Sequence, residues 1–215
     1  MEPEIFINFK HYENAVGNNC EKLLNDFSNL KDNNIYYCLS YIDLRLNSKF
    51  NNLKRFSQSV DVNDYGAFTG SVSMESLMSI GIHGSLLNHS ENRINEENII
   101  RILEKSKNNN FTIVLCAENI EEIKKYSKFE PDYIAYEPPE LIGGNISVSN
   151  AKPEIIEEAG KICKNRTKLL VGAGVKTKED IDRSMDLGAH GVLIASGIIR
   201  DPKPINKLIS LTHTR

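Results

Sequence analysis

The sequence predicts an α/β fold, a (β/α)8 barrel forming a single domain over residues 1–215, and three observations carry that prediction. Eight short runs of β-branched and apolar residues recur along the chain, each suited to a strand buried on both faces. Most of the stretches between them space their apolar residues as one face of an amphipathic helix. No Pro/Ser/Gly-rich linker divides the chain, and 215 residues of 40% hydrophobic composition can bury one substantial core. An open doubly wound sheet uses the same alternation, and a strand count alone does not separate the two folds.

Taken in order, the first strand is "EIFINF", followed by a helix whose buried face is Val16, Cys20, Leu23, Leu24 and Phe27. "IYYCLS", "RFSQSV" and "GSLLNH" are the next three strands. A helix with Ile99, Ile102, Leu103 and Ser106 on one face leads into "FTIVLC" and then "YIAYEP". Pro153 suits the first turn of a helix through "EIIEEAGKIC", because its missing N–H lies where no intrahelical partner exists. "KLLVGAG" is the seventh strand. Thr177, three residues before Asp180, forms a capping-box pattern for the next helix, with Gly188 near its expected stop. "GVLIAS" is the eighth strand, and the asparagine-rich "KDNN" and "KNNN" read as solvated loops.

Composition excludes several classes of function. The 26 Lys and Arg against 29 Asp and Glu leave a net charge of −3 with no basic cluster, so neither nucleic acid nor an anionic membrane is an expected partner. The "MEPEIFINFK" start is acidic, has only a short apolar run and no small-residue cleavage site, which points to a cytoplasmic protein. Cys20, Cys38, Cys116 and Cys163 are far apart and show no metal-ligand spacing, so they are expected as reduced core cysteines and not as metal ligands.

In a barrel, chemistry gathers where strands end and loops begin. Asn8 and Lys10 close the first run, pointing to the same side of it. His89 follows "LLN", and Ser90 after it can cap a short helix whose amides face the imidazole and favour a neutral donor over a cation. Glu137 precedes two prolines, which hold it extended and still, and the Gly143-Gly144 pair beyond can move. "GAGV" (172–175) and "ASGI" (195–198) end the seventh and eighth runs, where main-chain amides free of side-chain bulk commonly cradle a phosphate.

These residues carry a resemblance. "NFK" (8–10), "YGAFTGSVS" (65–73), "NHSENR" (88–93), "YEPPELIGG" (136–144), "GAGVKT" (172–177) and "GVLIASG" (191–197) resemble the triosephosphate isomerases, in order over almost the whole chain. "EPPELIG" with the short chain is most similar to the compact archaeal branch, whereas "GAFTG" is closer to the wider family. The resemblance implies interconversion of dihydroxyacetone phosphate and glyceraldehyde 3-phosphate, in glycolysis and gluconeogenesis, without metal or organic cofactor. It further implies Glu137 as the base and His89 as the neutral electrophile, roles for which this family is itself the standing example. Lys10 would supply positive charge, Asn8 a hydrogen bond, and Glu91 support to that network. Phosphate would be held around Asn8, Phe9, Lys10, Ile142, Gly143, Gly174, Ala195, Ser196 and Gly197, under a lid over 140–144. That lid departs from the family's usual Gly-Thr-Gly end, with Gly143-Gly144-Asn145 in its place. The resemblance also implies a homodimer or homotetramer, in which the Thr69 loop enters the neighbouring subunit beside its Lys10 and Asn8.

Overall fold

The computed structural model describes residues 2–30, 34–144 and 146–212. The start of the "KDNN" loop (31–33) and Asn145 at the far end of the lid lie outside the described residues. Eight strands form one closed parallel barrel in sequence order: β1 (Glu4–Asn8), β2 (Ile35–Leu39), β3 (Lys54–Ser57), β4 (Gly84–Leu87), β5 (Thr112–Ala117), β6 (Tyr133–Tyr136), β7 (Lys168–Gly172) and β8 (Gly191–Ile194). Pairing of β1 with β8, Ile5 opposite Val192 and Ile7 opposite Ile194, closes the ring and excludes the open sheet.

Helices return the chain between strands: α1 (Asn18–Phe27), α2 (Met74–Ser79), α3 (Glu96–Asn109), α4 (Ile120–Tyr126), α5 (Val148–Ala151), α6 (Pro153–Cys163), α7 (Lys178–Asp186), α8 (Ser196–Ile199) and α9 (Pro204–Thr212). Pro153 opens α6 as expected, and α7 starts on a complete capping box, in which Thr177 accepts from the Asp180 amide and Asp180 accepts from the Thr177 amide. Gly188, at φ +99°, lies just beyond its end. One return departs from the alternation. Between β2 and β3 the described chain makes a 3-10 turn (Leu44–Ser48), and Leu44, Phe50 and Leu53 bury themselves against the barrel wall where a full helix would stand. Among the described residues, no helix is long and apolar enough to cross a membrane.

The two-residue period of a strand splits the core into two layers. Phe6, Cys38, Phe56, Leu86, Val114, Cys116, Tyr133, Ala135, Leu170 and Leu193 fill the barrel interior. Their immediate neighbours, such as Ile5, Ile7, Leu87, Ile134, Leu169, Val171, Val192 and Ile194, face the helices. Stacked rings of Phe6, Tyr36 and Phe56 plug the interior, with Tyr133 edge-on to Phe6 at a centroid distance of 5.0 Å. With one end plugged, the interior period runs out at the other end through Asn8, Glu137 and Gly172, all two residues beyond an interior side chain. All four cysteines are free and buried. Burial first, then the charges of Asp43 and Glu21, pushes the Cys20 thiol up to about 12, which suits a packing role.

Candidate active site

Lys10 leaves the end of β1 in a left-handed conformation, φ +48°, which is uncommon for a side chain of this size. Hydrogen bonds on both sides hold it there. Its N–H donates to Asn8 Oδ1 at 2.9 Å, and its C=O accepts from Gln58 Nε2 at 2.9 Å. The ammonium, only 11% exposed, donates to Glu91 Oε1 at 2.7 Å.

His89 is buried, and the chain after it does not form the short helix expected from Ser90. Residues 89–92 form a turn closed by the Asn92 N–H to the His89 carbonyl at 2.8 Å, and α3 begins only at Glu96, capped by Asn95. The Asn95 side chain accepts from the Asn98 amide and so caps α3 in place of the expected Ser90. An amide nevertheless reaches the imidazole, as the Glu91 N–H donates to His89 Nδ1 at 3.1 Å. A nitrogen that accepts carries no proton, so Nε2 holds the hydrogen and the ring is a neutral donor. Nε2 lies 3.5 Å from Glu137 Oε2.

Glu137 follows β6 in extended continuation, its N–H donating to the Ala117 carbonyl at 2.9 Å before Pro138 and Pro139. The residue is 6% exposed, and Oε2 has no hydrogen-bond partner among the described residues. That leaves the oxygen open to an incoming proton in the barrel mouth. Beneath it, burial, followed by the Glu137 charge, pushes the Cys116 thiol well above 9.0, so this cysteine stays a neutral neighbour. Gly172 makes room on the other side. A Cβ there would lie 2.4 Å from Glu137 Cγ.

Beyond the prolines, a 3-10 turn (Pro139–Leu141) carries Ile142 and Gly143 over the barrel mouth, and Glu140 of that turn is ion-paired with Lys152. A small cavity of about 40 Å³ joins Asn8, Lys10, His89 and Glu137 to this segment and to Gly174, Ala195, Ser196 and Gly197. Gly174 adopts φ +71°, and a Cβ there would sit 2.1 Å from the Ile146 carbonyl oxygen, so loop and glycine turn meet main chain to main chain. Asp180 steadies the same turn by accepting from the Lys176 and Thr177 amides, both at 3.0 Å. A larger cavity, about 790 Å³, opens around Thr167, Lys168 and His190 beside the start of β7, and holds none of the residues expected in the site.

The structure therefore brings together Asn8, Lys10, His89, Glu137, Ile142, Gly143, Gly174, Ala195, Ser196 and Gly197. Phe9 does not join them. Its ring packs edge-on to Phe27 and Tyr37, at 6.3 Å from each, because a residue one step from Asn8 faces the helix layer. Glu91 touches Lys10 and lies beside His89 without lining that cavity. Thr69 belongs to an exposed finger (61–73) whose base is pinned by Asp61, which accepts from the Val72 amide at 2.7 Å. Tyr12 and Lys176 line the cavity without a signal in their residue types, and Gln58 reaches Lys10 from just past the end of β3 with none in the sequence spacing.

Residues 3–212 match the family model described as "Triosephosphate isomerase". The chain belongs to the triosephosphate isomerase family. It is 45% identical over 208 residues to the triosephosphate isomerase of Thermoplasma volcanium, covering 96% of this chain and 98% of that one. It is 37% identical to those of Methanothermus fervidus (92% and 91% covered) and Saccharolobus solfataricus (94% and 91% covered). As a triosephosphate isomerase it interconverts dihydroxyacetone phosphate and D-glyceraldehyde 3-phosphate, a step of glycolysis.

Proposed function

We propose that Glu137 is the base of this isomerisation and His89 its neutral electrophile. Glu137 takes a proton from the hydroxymethyl carbon of dihydroxyacetone phosphate while His89 Nε2 donates a hydrogen bond to the carbonyl oxygen, where negative charge develops. His89 Nε2 gives its proton to that oxygen and takes the proton of the neighbouring hydroxyl, which moves the charge to the first carbon's oxygen; the carboxyl then returns its proton to the second carbon as the aldehyde forms, giving glyceraldehyde 3-phosphate with both residues back in their starting states. A neutral imidazole matches the proton affinity of the enediolate oxygen better than an imidazolium would. Lys10 adds positive charge beside that oxygen and the phosphate, Asn8 and Glu91 fix the lysine, and the amides around Ile142, Gly143, Gly174, Ser196 and Gly197 hold the phosphate. The 140–144 segment covers a cavity of only about 40 Å³, so it lifts for entry and closes again over the bound triose phosphate for chemistry. Closure excludes water, which strengthens each charge interaction and keeps the enediolate from eliminating its phosphate.

The carrying observation is the buried Oε2 of Glu137, which has no hydrogen-bond partner among the described residues and lies 3.5 Å from His89 Nε2. The test is a coupled assay of glyceraldehyde 3-phosphate conversion on wild type and Glu137→Gln. Losing the base should lower kcat on the order of a thousandfold. Equal rates in the two proteins would overturn the assignment.

The reading extends to a homodimer or homotetramer in the cytoplasm. Support for association comes from Tyr65 and Phe68, 67% and 49% exposed on the pinned finger, and from a cavity of about 440 Å³ bordered by Lys10, Tyr41, Ile42, Gln58 and Glu91. An apolar finger tip and a nearby receptor of that size suit mutual exchange between two copies, with the partner's finger buttressing Lys10.

A further inference from the structure

We propose that Asn88 is a positioning residue for His89, holding the backbone turn that swings the imidazole into the barrel mouth. This rests on the reading of His89 as the electrophile. Leu86 belongs to the barrel interior and Leu87 to the layer facing the helices. Continued alternation would point Asn88 inwards and His89 outwards, away from Glu137. The chain breaks the period at Asn88, which adopts φ +60°, and His89 then lines the cavity.

Asparagine tolerates this left-handed conformation better than most side chains, but glycine would satisfy it with less strain. What glycine cannot supply is the side-chain amide, and here both ends of it are used. Nδ2 donates to the Cys116 carbonyl on β5 at 3.3 Å, and Oδ1 accepts from the Ile94 N–H at 3.3 Å, beyond the 89–92 turn. The group is 3% exposed. Asn88 thus clasps the loop carrying His89 and Glu91 to β5, one residue before Ala117, whose carbonyl anchors the Glu137 N–H. A single buried amide sets the electrophile against the strand that fixes the base. Two hydrogen bonds at opposite ends of a short, planar side chain leave the turn little freedom to rotate.

The experiment compares wild type with Asn88→Gly, Asn88→Asp and His89→Gln, measuring kcat and KM, thermal melting, and the ring-nitrogen NMR signals of His89. Asn88→Gly keeps the left-handed backbone and should stay folded. Its kcat should fall by about tenfold to a hundredfold, the scale of a reacting group displaced by ~1 Å, while KM changes by less than about threefold. The His89 ring signals should shift or broaden. Asn88→Asp keeps the Oδ1 acceptor and sets a second acceptor against the Cys116 carbonyl, so it should lose at least as much rate. Asn88→Gly with wild-type kcat and unmoved His89 signals would overturn the inference, as would a loss of rate accounted for by a loss of folded protein. Wild-type rates in His89→Gln would instead remove the reading of His89 itself. A collapsed His89→Gln beside a fully active Asn88→Gly would refute the role of Asn88 alone.

Discussion

Gly172→Ala offers a test of how closely the barrel holds its base, because the perturbation is one methyl group and its target is one side chain. A Cβ on residue 172 would lie 2.4 Å from Glu137 Cγ, 2.7 Å from Oε1 and 2.8 Å from Cδ, whereas ordinary contact begins at 3.4 Å. Glu137 must therefore retreat by about 1 Å. It has little room to do so. The backbone is tied to Ala117 and continues into Pro138, the side chain is buried, and His89 Nε2 already stands 3.5 Å from Oε2. A 1 Å error in a catalytic group costs on the order of a hundredfold in rate, about 2.7 kcal/mol of barrier. The glycines and Ser196 proposed to hold the phosphate, at 174, 196 and 197, keep their own contacts, so KM should stay within about threefold of wild type. A coupled assay in both directions, run beside thermal melting, separates misplacement of the base from partial unfolding. A folded Gly172→Ala enzyme with kcat within about threefold of wild type would show that Glu137 is not held against β7 as argued.

Two further outcomes follow from the same structure. Burial raises the Asp180 carboxyl, but hydrogen bonds from Ser147, the Lys176 and Thr177 amides and the Thr177 hydroxyl outweigh it and hold the group below 3.8. The stabilisation is therefore present above the unfolded value of about 3.9 and is lost as pH falls through the lower folded value. Asp180→Asn should lower stability by about 1 kcal/mol near neutral pH, and urea melts should show that difference shrinking below about pH 4; a gap that stays constant with pH would refute the role of the charge. Phe68→Asp puts a charge on the exposed finger tip and should shift sedimentation towards monomer with a fall in activity. A variant that sediments and turns over as wild type would argue against the finger as the interface.

Much of the architecture follows from local pattern. Eight apolar runs became eight strands because side chains buried on both faces leave a strong composition signal, and the caps of α6 and α7 needed only Pro153, Thr177, Asp180 and Gly188 in sequence. The missing helix between β2 and β3 was not legible, since Leu44, Phe50 and Leu53 find their burial against the barrel wall, a partner absent from any local window. Ser90 shows the limit of cap signals. A serine competes with later candidates, and Asn95 took the role once the 89–92 turn had closed.

The strand–helix order, the glycine turns and the match of Lys10, His89 and Glu137 to one family are all legible from residue type and spacing along the chain, on which each depends. Closure of the sheet through β1 and β8 emerges only on packing, since strands of this composition pair equally well in an open sheet. Closure brings residues far apart in sequence to one mouth. It gives Gln58 the Lys10 carbonyl, sets Gly172 against Glu137, and places Asn88 between β5 and the turn of His89. Those contacts are non-local, and two of them rest on backbone angles, at Lys10 and Asn88, that the packed barrel imposes on residues whose own preferences are weak.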